Sequence, residues 1–357
     1  MEHTALQGIL GNLKQGALVA ASSGPVTEGH ADYYHVWPRD AVLCALELCE
    51  RNQPQGKQII QWIIDLPTEK GLLLQRYEIS GEPDPKGWCN AEGTRQLDQD
   101  ALKFVGVSTI YDELSQEQKN KMHSDYVQFI NAVKSKQSST DVWEQKQGYF
   151  FYTTAALVWG VEKGNEIFGG ENEVLLKELV ESINHFYNPV LQSFVKGPNE
   201  KYVDLEIVLG INILLQTHYF RNEPFLKKAI SSLNIFEEDL VVEGNGFIAP
   251  IRYNKDFWDG EKVGSEGIGR PWPMGCALLS QTYSRLAVLA AELNQEATAI
   301  ECSKKANYWL TQLEKMPFCH AFPEQVDVDG HIPENSPKPL AWAAAEYLRA
   351  KRLVESH

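Results

Sequence analysis

Apolar residues recur at three- and four-residue steps along most of the chain, and runs of strict alternation are rare. The pattern predicts about twelve helices, at roughly 4–18, 39–52, 54–64, 95–112, 116–134, 149–168, 172–188, 203–218, 223–233, 273–293, 295–315 and 337–354. Between 273 and 293, Cys276, Leu278, Leu279, Tyr283, Leu286, Ala287, Leu289 and Ala290 form one apolar stripe. Pro38 is placed to open the second helix and Pro339 to lie in the first turn of the last. Only Asn294-Gln295 separates Leu293 from Glu296, so the tenth and eleventh helices are expected to run antiparallel.

Connections alternate between short and long. The long stretches of low periodicity, 19–37, 65–94, 135–148, 189–202, 234–272 and 316–336, carry most of the Trp, Gly and Pro residues. Twelve helices joined in this way predict an all-α fold, a closed (α/α)6 barrel, with a bundle array or solenoid as the competing architecture. No self-similarity at a fixed period supports a solenoid. Without a flexible linker or low-complexity tract, 1–357 reads as a single domain. Loops gathered at one end of a rigid scaffold are where sites are built.

Composition narrows the partner. A net charge of −15 argues against nucleic acid and against an anionic membrane surface. Nine Trp, fourteen Tyr and fourteen Phe suit a neutral ligand such as a sugar, although most aromatics serve as core. No signal-peptide pattern opens the chain, and no apolar run approaches the ~18 residues of a membrane span. Cys44, Cys49, Cys89, Cys276, Cys302 and Cys319 form neither a CxxC pair nor a zinc-like cluster, so reduced thiols and a cytoplasmic setting are expected. Cys44 and Cys49 read as small apolar residues of a buried helix.

Five polar-aromatic clusters fall in or beside the long loops. Tyr33-Tyr34-His35-Val36-Trp37-Pro38-Arg39-Asp40 sets a guanidinium and a carboxylate side by side, able to grip adjacent sugar hydroxyls or equally to form a local ion pair. Gly93-Thr94-Arg95-Gln96-Leu97-Asp98-Gln99-Asp100 enters a helix, where its carboxylates also suit the helix N-terminus. Trp143-Glu144-Gln145 precedes Tyr149-Phe150-Phe151-Tyr152, and apolar surroundings raise a carboxyl pKa as a general acid requires. Arg252-Tyr253-Asn254-Lys255-Asp256 with Gly269-Arg270-Pro271-Trp272-Pro273 offers a second arginine and an aromatic platform, or residues that merely pin a long loop. Glu324-Gln325 precedes Ser336-Pro337 and Ala341-Trp342. Taken singly, Glu144 and Glu324 read equally well as surface carboxylates. As a pair in aromatic surroundings they meet the requirement of glycosidic-bond cleavage for an acid and a base.

The order and spacing of these motifs, over about residues 17–350, resemble glycoside hydrolase family 15, the glucoamylase and glucodextranase group. The resemblance implies the (α/α)6 barrel, with Glu144 as general acid and Glu324 as general base. It further implies that Arg39 and Asp40 hold the outer hydroxyls of a terminal glucose unit and that Arg252 faces them. Tyr33, Trp37, Trp143, Trp272 and Trp342 match aromatic walls. Gln145 stands where many relatives carry a second acid, which bears on the sugar contacts. Several bacterial relatives carry an N-terminal β-sandwich, whereas this chain starts at the barrel. Trp88 is the candidate for the aromatic that supports the acid.

The expected activity is an inverting exo-glycosidase releasing β-glucose from maltooligosaccharide- or starch-type α-glucosides, with no metal or organic cofactor. A trehalase or dextran-type exo-hydrolase on the same barrel stands beside it. So does an idle sugar-binding or regulatory helical domain, although such domains typically lack the two glutamates. A lyase or epimerase would use histidine, and only His35 lies near a motif. Linkage, chain length and oligomeric state are not legible.

Overall fold

A computed structural model describes residues 1–22, 33–91, 94–198, 200, 202–256, 258, 269–317 and 319–356. Gly93 and parts of two expected loops, 23–32 and 259–268, lie outside the described residues. Twelve α-helices occur among the described residues, as the periodicity predicts: α1 (Glu2–Gly11), α2 (Pro38–Glu50), α3 (Pro54–Asp65), α4 (Leu97–Ile110), α5 (Gln116–Lys134), α6 (Phe151–Phe168), α7 (Glu173–Ser182), α8 (Leu205–Leu214), α9 (Glu223–Leu240), α10 (Pro273–Glu292), α11 (Glu296–Lys315) and α12 (Ala341–Glu355).

The even-numbered helices pack in the cyclic order α2–α4–α6–α8–α10–α12 and back to α2, which closes an inner ring. The odd-numbered helices back onto that ring, α3 on α2 and α4, α9 on α8 and α10, and α11 on α10 and α12. This is the (α/α)6 barrel. Sequence explains the two layers. Every residue of α8 is buried, and α4 and α6 are buried almost throughout, so these helices are covered on all sides. By contrast, α7 buries only Leu175 and Leu176 and keeps charged residues outward. Neighbouring inner helices approach closely through Gly160, where an added Cβ would lie 2.6 Å from the Ala101 backbone. The tenth and eleventh helices are antiparallel, as Asn294-Gln295 predicts: Ser280 bonds Ala306 and Tyr283 meets Lys305.

Strands are few and short. β1 (Leu13–Lys14) with β2 (Ala17–Leu18), β3 (Ser139–Thr140) with β4 (Gln147–Gly148), β5 (Tyr187–Asn188) with β6 (Ser193–Phe194), and β7 (Val241–Glu243) with β8 (Ile248–Pro250) form four antiparallel hairpins. The first corrects an expectation, because residues 13–18 form β1–β2 rather than continuing α1; Gln15 and Gly16 both have positive φ. Helix α9 runs on to Leu240, past the expected end at 233. Pro339 lies before α12, not in its first turn. Leu340 N–H donates to Phe322 O and Asn12 donates to Pro339 O, which holds this backbone extended until Ala341.

Because inner helices are entered from the long connections, all six inner N-termini open on the same end of the barrel. Helix N-termini favour negative charge, and Asp40, Asp98, Asp204 and Glu206 sit in or beside the first turns of α2, α4 and α8. No helix among the described residues is long and apolar enough to cross a membrane.

Candidate active site

At that end lies a cavity of about 430 Å³. Tyr33, Trp37, Arg39, Asp40, Trp143, Glu144, Gln145, Arg252, Trp272, Glu324 and Trp342 all line it, so the structure brings every site residue expected from sequence into one place. Trp88, expected near the acid, lines it too, as do Arg76 and Trp258, which were not anticipated there.

Glu144 sits at the tip of the β3–β4 hairpin. Glu144 N–H donates to Asp141 O, while the Asp141 carboxylate accepts from the backbone of Gln145 and Lys146. That closure forces Glu144 into the left-handed region at φ 62°, uncommon for a residue with a side chain. Asp141 is itself fixed from below. Lys196, 2% exposed, reaches Asp141 at 2.6 Å, Asp204 at 3.1 Å and Glu206 at 3.4 Å. Asp204 also accepts from the Trp143 indole at 2.7 Å. One buried cation therefore ties the Glu144 hairpin to the start of α8.

Both carboxylate oxygens of Glu144 are held. Trp37 Nε1 donates to Oε1 at 2.9 Å and Gln75 Nε2 donates to Oε2 at 2.6 Å. Burial pushes this carboxyl up to about 7, against the pull of Arg39 and of the two donors. Trp37 thus occupies the supporting place expected of Trp88. Trp88 instead stands 52% exposed against Arg76, because its backbone N–H is tied to Gln75 Oε1 and its ring is held outward.

Glu324 enters from the loop before α12. Its backbone N–H donates to Pro337 O, and the next two residues bond Ser336 and Pro271. The side chain is 5% exposed and accepts from Tyr33 Oη at 2.7 Å and from Trp258 Nε1 at 3.4 Å. Burial raises its pKa above the ordinary value, while Arg252 and the two donors favour its charged form. The Tyr33 phenol is pushed well up by burial and then by the Glu324 charge, so it remains a donor.

The floor is cationic and aromatic. Arg39 bonds Asp40 at 3.0 Å, is backed by Asp98 at 3.5 Å and lies over the Trp342 ring at 5.6 Å. Burial lifts Asp98 to about 6 despite Arg39. Arg252 pairs with Asp256 through two bonds of 2.7 and 2.8 Å and lies 4.3 Å above the Trp272 ring, which meets Trp143 edge-on at 5.7 Å. Asp256 therefore serves the pocket by holding Arg252, and Arg270 pins the loop through Asp327 at 2.8 Å. At the rim, the exposed Gln145 amide bonds the Tyr253 hydroxyl.

Away from this pocket, Glu162 and Glu166 of α6 bring one oxygen each within 4.8 Å of a His218 ring nitrogen and of one another, a spacing open to a metal ion. Lys163 already bonds both oxygens of Glu166. None of these groups lines the cavity.

No protein-family model matches the chain. An uncharacterized glycosyl hydrolase of Methanocaldococcus jannaschii is 25% identical over 94% of this chain. The chain spans about half, 52%, of that relative's length. Among solved structures, a glucoamylase from Saccharomycopsis fibuligera matches with a TM-score of 0.76 at 16% identity, covering 99% of this chain and 94% of that one. A bacterial glucoamylase complexed with acarbose matches at 0.69 and 18% identity, over 95% of this chain and 52% of its own. The chain therefore has the glucoamylase fold, as the motif order implied.

Proposed function

We propose that the protein is an inverting, exo-acting glycoside hydrolase that releases glucose from the non-reducing end of α-glucosides. The observation that carries the reading is a pair of glutamates facing one cavity that burial raises to different extents. Each has an arginine and two donors favouring its charge, and Glu144 is nonetheless pushed up to about 7, while Glu324 is raised less far. Environments that hold two carboxyls in different protonation states divide acid from base.

Glu144 gives its proton to the glycosidic oxygen as the bond from the anomeric carbon to that oxygen breaks. Glu324 takes a proton from a water whose oxygen bonds the same carbon from the opposite face. The products are a glucose of inverted configuration and a shortened alcohol. Inversion places the carboxyl groups about 6.5–9.5 Å apart to admit the water. Arg39 and Asp40, on a floor where Trp272 and Trp342 are nearly fully covered, fit the outer hydroxyls of a terminal sugar. A floor covered in this way favours removal of end units. The acarbose complex of the bacterial glucoamylase agrees with a ligand of this class.

Maltose, isomaltose, trehalose and soluble starch, followed by proton NMR of fresh product, test the reading and rank the linkages. Initial β-glucose is expected. Initial α-glucose removes the water-between-carboxylates route, and binding without turnover makes the protein a sugar-binding domain.

A further inference from the structure

The Trp88 indole stands half exposed at the edge of the cavity. It is also held in place. Its backbone N–H donates to Gln75 Oε1 at 2.8 Å, and its ring lies 4.9 Å from the Arg76 guanidinium. Arg76 is 1% exposed, bonds Asp84 at 2.5 Å and lies 5.2 Å from the Trp37 ring. Trp37 in turn donates to Glu144. A layer of indole, guanidinium and indole therefore leads from the proton-donating carboxyl to solvent.

A general acid delivers its proton to the departing oxygen, so the departing group lies on the acid's side of the cavity. Trp88 is the exposed end of the layer on that side. We infer that the open face of Trp88, steadied by Arg76, is the stacking platform for the leaving-group sugar. The ligand class follows from the charges. Asp84 already answers Arg76, so the layer offers an apolar face to the C–H side of an uncharged pyranose and no free cation to an acidic one. This inference rests on the hydrolase reading for its direction, since that reading sets which side the leaving group takes.

The test compares a donor whose leaving group is a single atom, α-glucosyl fluoride, with maltotriose or isomaltotriose, whichever is turned over faster. For Trp88→Ala the ratio of kcat/KM on the trisaccharide to that on the fluoride is expected to fall about tenfold, the size of one lost aromatic contact. Trp88→Phe is expected to recover most of it. Equal changes on both substrates, or no change on the trisaccharide, overturn the platform. If the wild-type protein turns over none of these, the hydrolase reading fails separately. Calorimetric titration with the same trisaccharide then decides: binding weakened by Trp88→Ala supports the platform, and binding that is absent or unaltered overturns it.

Discussion

The hydrogen bond from Gln75 to Glu144 has only one workable polarity. Gln75 Oε1 accepts from the backbone of Trp88 at 2.8 Å and of Cys89 at 3.1 Å, so its NH₂ must face the Glu144 carboxyl at 2.6 Å. A donor fixed in this way stabilises the charged form of Glu144 and offsets part of the rise that burial imposes.

The sign of a Gln75→Leu effect follows. On the proposed mechanism Glu144 acts protonated, so the alkaline limb of the rate profile should fall through about pH 7 in the wild-type protein. Removing the donor raises the carboxyl further, and the limb should move to higher pH while kcat drops from looser positioning. Trp37→Phe should shift the limb the same way. A pH profile of kcat/KM measures both, and a limb moving downward contradicts the assignment.

Tyr33→Phe acts on the opposite limb. The proposed base Glu324 acts ionised, and Tyr33 donates to it. Losing that donor raises its pKa, so the acid limb should also move to higher pH and the optimum should narrow from below.

Glu144→Gln and Glu324→Gln are each expected to lower turnover by on the order of 10²–10⁴ with the thermal transition kept within a few degrees. Near-normal activity in either variant removes that residue from its role.

Lys196→Met leaves Asp141, Asp204 and Glu206 buried without their cation. Breaking a buried charge set from one side costs about 3–5 kcal/mol. Chemical denaturation should show a loss of this order, and the surviving fold should have a displaced Glu144 hairpin with low kcat.

Gly160→Ala tests the ring itself. Its Cβ would meet the Ala101 backbone at 2.6 Å, which cannot give way as a side-chain end can. Overpacking of this kind costs about 1–3 kcal/mol, read as a lower denaturation midpoint.

Helices were legible because their periodicity is local, and α5 spans the expected 116–134. Residues carried by compact motifs, such as Trp37-Pro38-Arg39-Asp40, were legible for the same reason. Gln75 was not, because its meaning depends on a carboxyl 69 positions away and on two backbone groups that only folding brings near. Lys196 was missed because a lysine beside Gly197 and Pro198 reads as solvated loop. Asp204 before the apolar run from Leu205 signals a helix cap, yet nothing local signals that it also holds Trp143. Trp258 lay unmarked in a long connection. The start of α12 was misplaced because hydrogen bonds from Asn12 and to Phe322 override the helix-opening preference of Pro339.

The left-handed backbone at Glu144 bears on how this site can change over generations. A side chain at φ 62° costs about 1–2 kcal/mol that glycine avoids. Glycine or asparagine at this position should therefore melt higher than the parent while turning over nothing. Drift toward a sturdier, inert barrel is downhill in free energy, so wherever the carboxylate persists, selection for chemistry must be holding it there against stability.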